Sequence, residues 1–313
     1  MRTTHLFTRT LAAAGLMLAA AFASQDARSD SPQNGPGFAA VYGNIPQNQV
    51  EFLSTPDAIK SAAASAAPTA VWEVLEHGEK VECLDCIAPV SLLIYDANAR
   101  TREIAAWWLR RRAFGVFGPG EVYQQTLQTL ASDPDPVRRS YAAYALGEFF
   151  AAPGVTACVT ALSDSDARVR AAAASALGRL NNDGAGALAQ AFTDADPGVK
   201  LAALASAVII NGFSGVASLA GVLSDASADV RRNAVQVLDA RGASSAVAPI
   251  LASAQTDADA GVRAAACHAV GSIAARSPGM VDTTSLIAAL LAISQNDSDG
   301  FVRDMAQIAI RRL

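Results

Sequence analysis

Residues 164–178 read DSDARVRAAAASALG. Counted from Val169, the residues Ala172, Ala173, Ala176 and Leu177 fall at +3, +4, +7 and +8, the positions that share one face of an α-helix. An Asp just ahead of such a run can accept hydrogen bonds from the free N–H groups of a first helical turn, a cap worth about 1 kcal/mol. The same frame returns at Val262, Ala265, Ala266, Ala269 and Val270, and again at Val302, Met305, Ala306, Ala309 and Ile310. In Asp135-Pro136 and Asp196-Pro197 a proline adds a favoured first-turn residue. Gly147, Gly178 and Gly271 fall where a left-handed C-terminal cap is expected.

Clear copies of this stretch open at Asp133, Asp164, Asp194, Asp225, Asp257 and Asp297, and Asp96 to Arg102 heads a degenerate earlier one. The intervals are 31, 30, 31, 32 and 40 residues, so the last repeat carries an insertion, placed around 277–284. A second, shorter apolar segment precedes each copy: 122–130, 155–162, 187–192, 216–223, 247–254 and 286–293. Two helices of this length cannot bury both their faces alone, so each pair must stack on its neighbours. The expected fold is all-α, a right-handed α-solenoid of stacked antiparallel helix pairs. Its degenerate N-terminal cap is placed at 55–120 and its clear repeats at 121–313. Composition agrees: hydrophobic residues are 51% of the chain but aromatics only 6%, and alanine suits closely spaced helices.

The first residues read as an export signal. Arg2 and Arg9 give a positive start, Leu11 to Ala21 an apolar core, and Ala21-Phe22-Ala23 a small-residue cleavage site. Cleavage after residue 23 leaves a Ser-, Gln- and Pro-rich flexible linker over 24–54 and places the mature protein in the periplasm or outside the cell. It also removes two arginines and no acid, moving the formal net charge from −5 to −7. An acidic chain argues against nucleic acid as partner, and no later stretch is long and apolar enough to insert in a membrane.

The pattern D-x-D-x-x-V-R-x-x-A-A-x-A-L-G, seen at 133–147 and 164–178, resembles the short HEAT repeat of bacterial proteins, the type named after phycobilin lyases. The resemblance covers about Tyr95 to the C-terminus. It implies a ladder in which the basic residue after the Val pairs with an Asp of an adjacent repeat; Arg138, Arg170, Lys200, Arg231, Arg263 and Arg303 match that position. Relatives with iron chemistry carry paired His-Glu dipeptides, and this chain has none. Nor does it contain GxxxxGK[ST], GxSxG or HExxH. No cofactor is expected, and the reading is a non-catalytic scaffold or adaptor for a protein partner.

Two places depart from the repeat. Cys83 and Cys86 form a C-x-x-C followed by Ile87, which excludes covalent c-type haem. A structural disulfide, a redox pair, and a metal site shared with His77 stay open, the last two supporting an alternative redox- or metal-linked accessory role. Cys158 and Cys267 lie three helix layers apart, beyond the reach of a disulfide, and are expected as buried thiols. The second place is a segment rich in aromatics and arginine. Trp107, Trp108, Arg110, Arg111, Arg112, Phe114 and Phe117 interrupt the rhythm with residue types found at binding hot spots, and they are the candidate partner contact. Adjacent on a helix, Trp107 and Trp108 point about 100° apart, so at least one belongs to the core.

Overall fold

The computed structural model describes residues 54–65, 67–115 and 118–313. The export signal, nearly all of the proposed linker and Phe117 lie outside the described residues, as do the side chains of 113–119. The chain divides into two compact units. Pro56–Glu76 with Glu82–Leu313 holds the helix stack, and Ser54, Thr55 and His77–Val81 belong to the other.

The stack is a series of helix pairs. It opens with α1 (Pro56–Ala63), α2 (Pro68–His77), α3 (Ile87–Leu92) and α4 (Ala99–Ala113). A two-residue antiparallel pairing of Phe114–Gly115 with Gly118–Pro119 follows. The regular pairs then run α5 (Glu121–Ser132) with α6 (Pro136–Glu148), and α7 (Gly154–Ala161) with α8 (Ala167–Arg179). Next come a 3-10 helix at Ala187–Thr193 with α9 (Pro197–Ile209), and α10 (Val216–Gly221) with α11 (Ala228–Ala240). The last pairs are α12 (Val247–Thr256) with α13 (Ala260–Arg276), and α14 (Thr283–Asn296) with α15 (Gly300–Ile310). The capped helices α6, α8, α9, α11, α13 and α15 pack successively on one another and form the continuous row of the stack.

One partner element is not an α-helix. Segment 187–193 winds as a 3-10 helix after a turn in which Gly184, Ala185 and Gly186 all adopt positive φ. The insertion lies where the spacing put it: α13 runs four residues longer than α11, and a turn with Gly279 at φ 79° leads to Asp282, which caps α14.

Each capped helix starts as its sequence dictates. Asp135, Asp166, Asp196, Ser227, Asp259 and Asp299 are the N-caps, their side chains accepting one or two N–H bonds from the first turn. Val169, Ala173, Ala176 and Leu177, and their counterparts Val262, Ala266, Ala269 and Val270, are buried, whereas Ala172 and Ala265 keep some exposure.

The glycines do something other than cap. Gly147, Gly178 and Gly271 lie inside α6, α8 and α13, not beyond them. A Cβ on Gly147 would meet the Ala176 Cα at 2.9 Å, one on Gly178 the Ser206 Oγ at 2.5 Å, and one on Gly271 the Ala309 Cα at 2.9 Å. They are the points where neighbouring capped helices touch backbone to backbone. Left-handed residues come three positions after Gly147 and Gly178, at Phe150 and Asn181, and just beyond the end of α11 at Gly242, with φ of 52°, 51° and 63°. Asn181 and Gly242 close Schellman turns, in which Asn182 N–H bonds the Leu177 carbonyl and Ala243 N–H that of Leu238.

The ladder is present and shifted by one residue at its start. Arg139, Arg170, Arg231 and Arg263 each place two guanidinium nitrogens on the first Asp of the next repeat, Asp164, Asp194, Asp257 and Asp297, at 2.6–2.9 Å. Lys200 reaches Asp225 with one ammonium. The rung is therefore Arg139, not Arg138. Arg138 pairs with Asp133 of its own repeat at 2.9 Å and lies over the Tyr95 ring. Measured from the N-cap the reason is plain: Arg170 is four residues beyond Asp166 and Arg139 four beyond Asp135, so Arg138 occupies the Val169 position. Arg303 donates to the Asp297 carbonyl at 2.6 Å and pairs with no acid among the described residues.

Candidate functional site

Because the ladder uses its arginines alike, a place where it fails marks a different task. It fails at the N-terminal end. Asn98 caps α4 through bonds from Arg100 and Thr101 N–H, and Arg102 donates to the Asp96 carbonyl at 2.7 Å, as each arginine rung, though not Lys200, does to the first Asp of its own repeat. Yet the acid that should receive Arg102, Asp133, is held by Arg138. Arg102 instead lies over the Tyr141 ring at 3.8 Å. Guanidinium groups over rings recur here: Arg100 over Trp72 at 5.1 Å, Arg112 over Trp108 at 3.6 Å, and Arg138 over Tyr95 at 4.3 Å. A stacked guanidinium keeps its in-plane N–H groups for another acceptor.

The candidate contact residues separate. Trp108 is buried, 1% exposed, and Arg112 both stacks on it and donates to its carbonyl at 2.7 Å, so this pair is internal packing. Trp107, Arg110 and Arg111 keep exposure. Phe114 begins the short strand pairing.

Counting nine residues from each N-cap gives Trp107, Tyr144, Ser175, Ala205, Gln236, His268 and Ile308, one per capped helix and every one partly exposed. This row crosses the stack at equivalent places. Its first two members are large aromatics and the rest are smaller, a difference hidden in the sequence because the row appears only when the helices are aligned on their caps. Burial first, and then the negative charges of Glu148 and Glu103, pushes the Tyr144 hydroxyl well above the usual tyrosine range.

One turn past Tyr144, and off the row, lies a cluster that the repeat spacing did not reveal. Glu148, only 4% exposed, binds Arg179 of the next capped helix at 2.5 Å. Two residues on, Phe150 is 49% exposed and left-handed, a conformation that is an outlier for a bulky side chain. Arg110 lies 5.3 Å from its ring centre and Arg179 5.8 Å. Three capped helices, α4, α6 and α8, thus bring two cations and one strained, solvent-facing ring together. The sequence signal available was Phe149-Phe150 at the position where the next repeat has Leu180-Asn181.

Toward the other end of the row His268 sits 3.4 Å from Asp239 and 3.0 Å from Arg312, a polar surface contact. Cys158 and Cys267 are free and buried, and burial pushes both thiols up to about 12, so neither is a nucleophile. Cys83 and Cys86 are bonded to each other. That consumes both thiolates of the His77, Cys83, Cys86 metal alternative, and among the described residues no three His, Cys, Asp or Glu side chains gather to hold an ion. Among the same residues no helix is long and apolar enough to cross a membrane.

No curated protein matches the chain's sequence. Among solved structures it is similar to YibA of Escherichia coli, with 16% identity and a TM-score of 0.53 over 85% of this chain and 95% of that one. It is also similar to Kap95p, solved with RanGDP, with 12% identity and a TM-score of 0.62 over 88% of this chain and 44% of that one. At these identities the likeness shows the fold alone. The HEAT-repeat profile matches residues 123–208 and 216–311, more than half of the chain, each match spanning several of the helix pairs described above. The chain belongs to the HEAT-repeat family.

Proposed function

We propose that this protein is a non-catalytic scaffold or adaptor that binds a protein partner on the exposed row of its capped helices, at the end marked by Trp107 and Tyr144. The observation that carries the reading is the Arg110–Phe150–Arg179 cluster. An exposed aromatic held in a strained backbone between two cations has no evident packing role, while aromatic and arginine anchors dominate binding energy at interfaces. The remaining repeats supply a rigid mount. Export by residues 1–23 places this activity in the periplasm or outside the cell, and fractionation of the full chain against one lacking 1–23 tests that address.

The binding reading is tested by crosslinking capture from envelope extract with the purified protein and with Trp107→Ala and Arg110→Ala variants, with thermal melts confirming that the variants fold. Capture of the same protein reduced about tenfold or more by either variant supports the site, since hot-spot truncations cost about 2 kcal/mol. Equal capture by both folded variants removes it.

A further inference from the structure

The Cys83–Cys86 disulfide lies outside the ladder and outside the row of capped helices. Both cysteines sit in one turn, Leu84–Cys86 being a 3-10 helix that leads into α3. With a sequence separation of only three, the bond closes a very short loop and joins no two elements of the stack. A short loop removes little chain entropy, so such a bridge is a weak staple. The two cysteines also differ as residues: Cys86 is fully buried, while Cys83 is partly exposed. Between them Leu84 is 83% exposed, a large apolar side chain set in solvent within the disulfide loop itself. The chain's other cysteines are the reverse, buried and without a sulfur partner.

We propose that this disulfide is an exchange site for the thiol of a partner protein, entered at the Cys83 sulfur and contacted through Leu84. The partner's thiolate sulfur bonds to Cys83 Sγ as the Cys83–Cys86 bond breaks. The bonding pair leaves with Cys86 Sγ, and that thiolate takes up a proton equivalent to the one the partner thiol lost. One disulfide replaces another, so no oxidant or reductant is consumed. Cys86, retained next to the new bond, can attack Cys83 Sγ in return and release the partner, which makes the link reversible. An apolar side chain at the entry favours a cysteine within a protein surface over a small hydrophilic thiol.

The test needs no knowledge of the partner and is independent of the binding surface proposed above. Oxidised full-length protein is mixed with glutathione or with a synthetic cysteine peptide flanked by apolar residues, quenched with acid, and the adduct located by mass spectrometry. The expected adduct is on Cys83, forming in native buffer within about tenfold of its rate in urea-unfolded protein, because access and not unfolding limits exchange. Leu84→Ser should slow the peptide about threefold or more and leave glutathione unchanged, apolar contact being lost only for the peptide. A native rate that tracks the unfolded fraction, or an adduct on Cys86, overturns the site. Equal behaviour of Leu84→Ser with both thiols overturns the protein partner and leaves small thiols as the substrate. Oxidised glutathione should cap Cys83 in folded Cys86→Ser and leave Cys86 untouched in Cys83→Ser; should either variant misfold, the native kinetics of the unaltered protein decide.

Discussion

Arg231 and Arg138 look equivalent in the sequence, each following a Val, yet they stand in different physical situations. Arg231 and its partner Asp257 have side chains only 13% and 5% exposed. The guanidinium fork also bonds the Asp225 carbonyl, and Asp257 accepts the Asp259 N–H, so one pair joins two repeats and two loops. Arg231→Ala strands a buried carboxylate and is expected to cost about 3 kcal/mol. Arg138→Ala removes a pair whose arginine is 46% exposed and should cost no more than about 1 kcal/mol. Urea midpoints of the two variants compare them directly, and equal losses would contradict the ladder assignment. The same contacts set a pH dependence. Hydrogen bonds from Arg139, Arg170, Arg231 and Arg263 hold Asp164, Asp194, Asp257 and Asp297 below the usual carboxylate range. A carboxyl depressed in the folded state stabilises fully above its unfolded value, near about pH 4, and the contribution is lost as pH falls through the folded value. Stability should therefore be flat in this respect between about pH 5 and 7 and drop below about pH 4, with a smaller drop in Arg231→Gln than in the parent, as followed by urea titration at each pH.

At the scale of the helix, the decisive feature is how closely neighbouring capped helices approach. Gly178 faces Ser206, whose hydroxyl donates to the Ala174 carbonyl at 2.8 Å, so a methyl group there must displace both a backbone and a hydrogen bond. Gly178→Ala is expected to destabilise by about 1–3 kcal/mol through overpacking, despite alanine's better helix propensity. Gly221, at the end of α10, has nothing within 4 Å of the space its Cβ would fill, and Gly221→Ala should raise stability by about 0.5 kcal/mol. Thermal melts that rank the two alike would sink the packing role given to Gly178. Phe150 poses the opposite case. Its left-handed backbone costs energy that glycine would not incur, so Phe150→Gly should leave stability unchanged or higher while reducing partner capture. A loss of stability of about 2 kcal/mol or more would show the ring to be core and not contact.

Across the whole stack, stability comes from near-identical steps, and the contacts proposed for a partner lie at the two places where the steps change. The repeat, its N-caps, the pairing of segments and the position of the insertion were legible in the sequence, because Asp, Val, Ala and Leu recur at fixed offsets and helix periodicity translates those offsets into faces. The rung at Arg139 was not legible from the Val-Arg dipeptide: Val137 lies one position earlier from its cap than Val169, and only distance from the cap fixes where a side chain points. The glycines were misplaced for a related reason, since a local rule for helix ends cannot see the neighbouring helix that needs the space. The C-x-x-C was visible as a motif, but whether it closed on itself depended on the turn that brings the two Cα atoms to 5.3 Å. What the sequence alone determined is the repeating element and the order in which copies stack, because those follow from local hydrogen bonding and periodicity. Only the tertiary structure decided which residues meet between repeats, from the carboxylate that receives each arginine to the gathering of Arg110, Phe150 and Arg179, because such contacts depend on how adjacent helices are placed and not on spacing within any one of them.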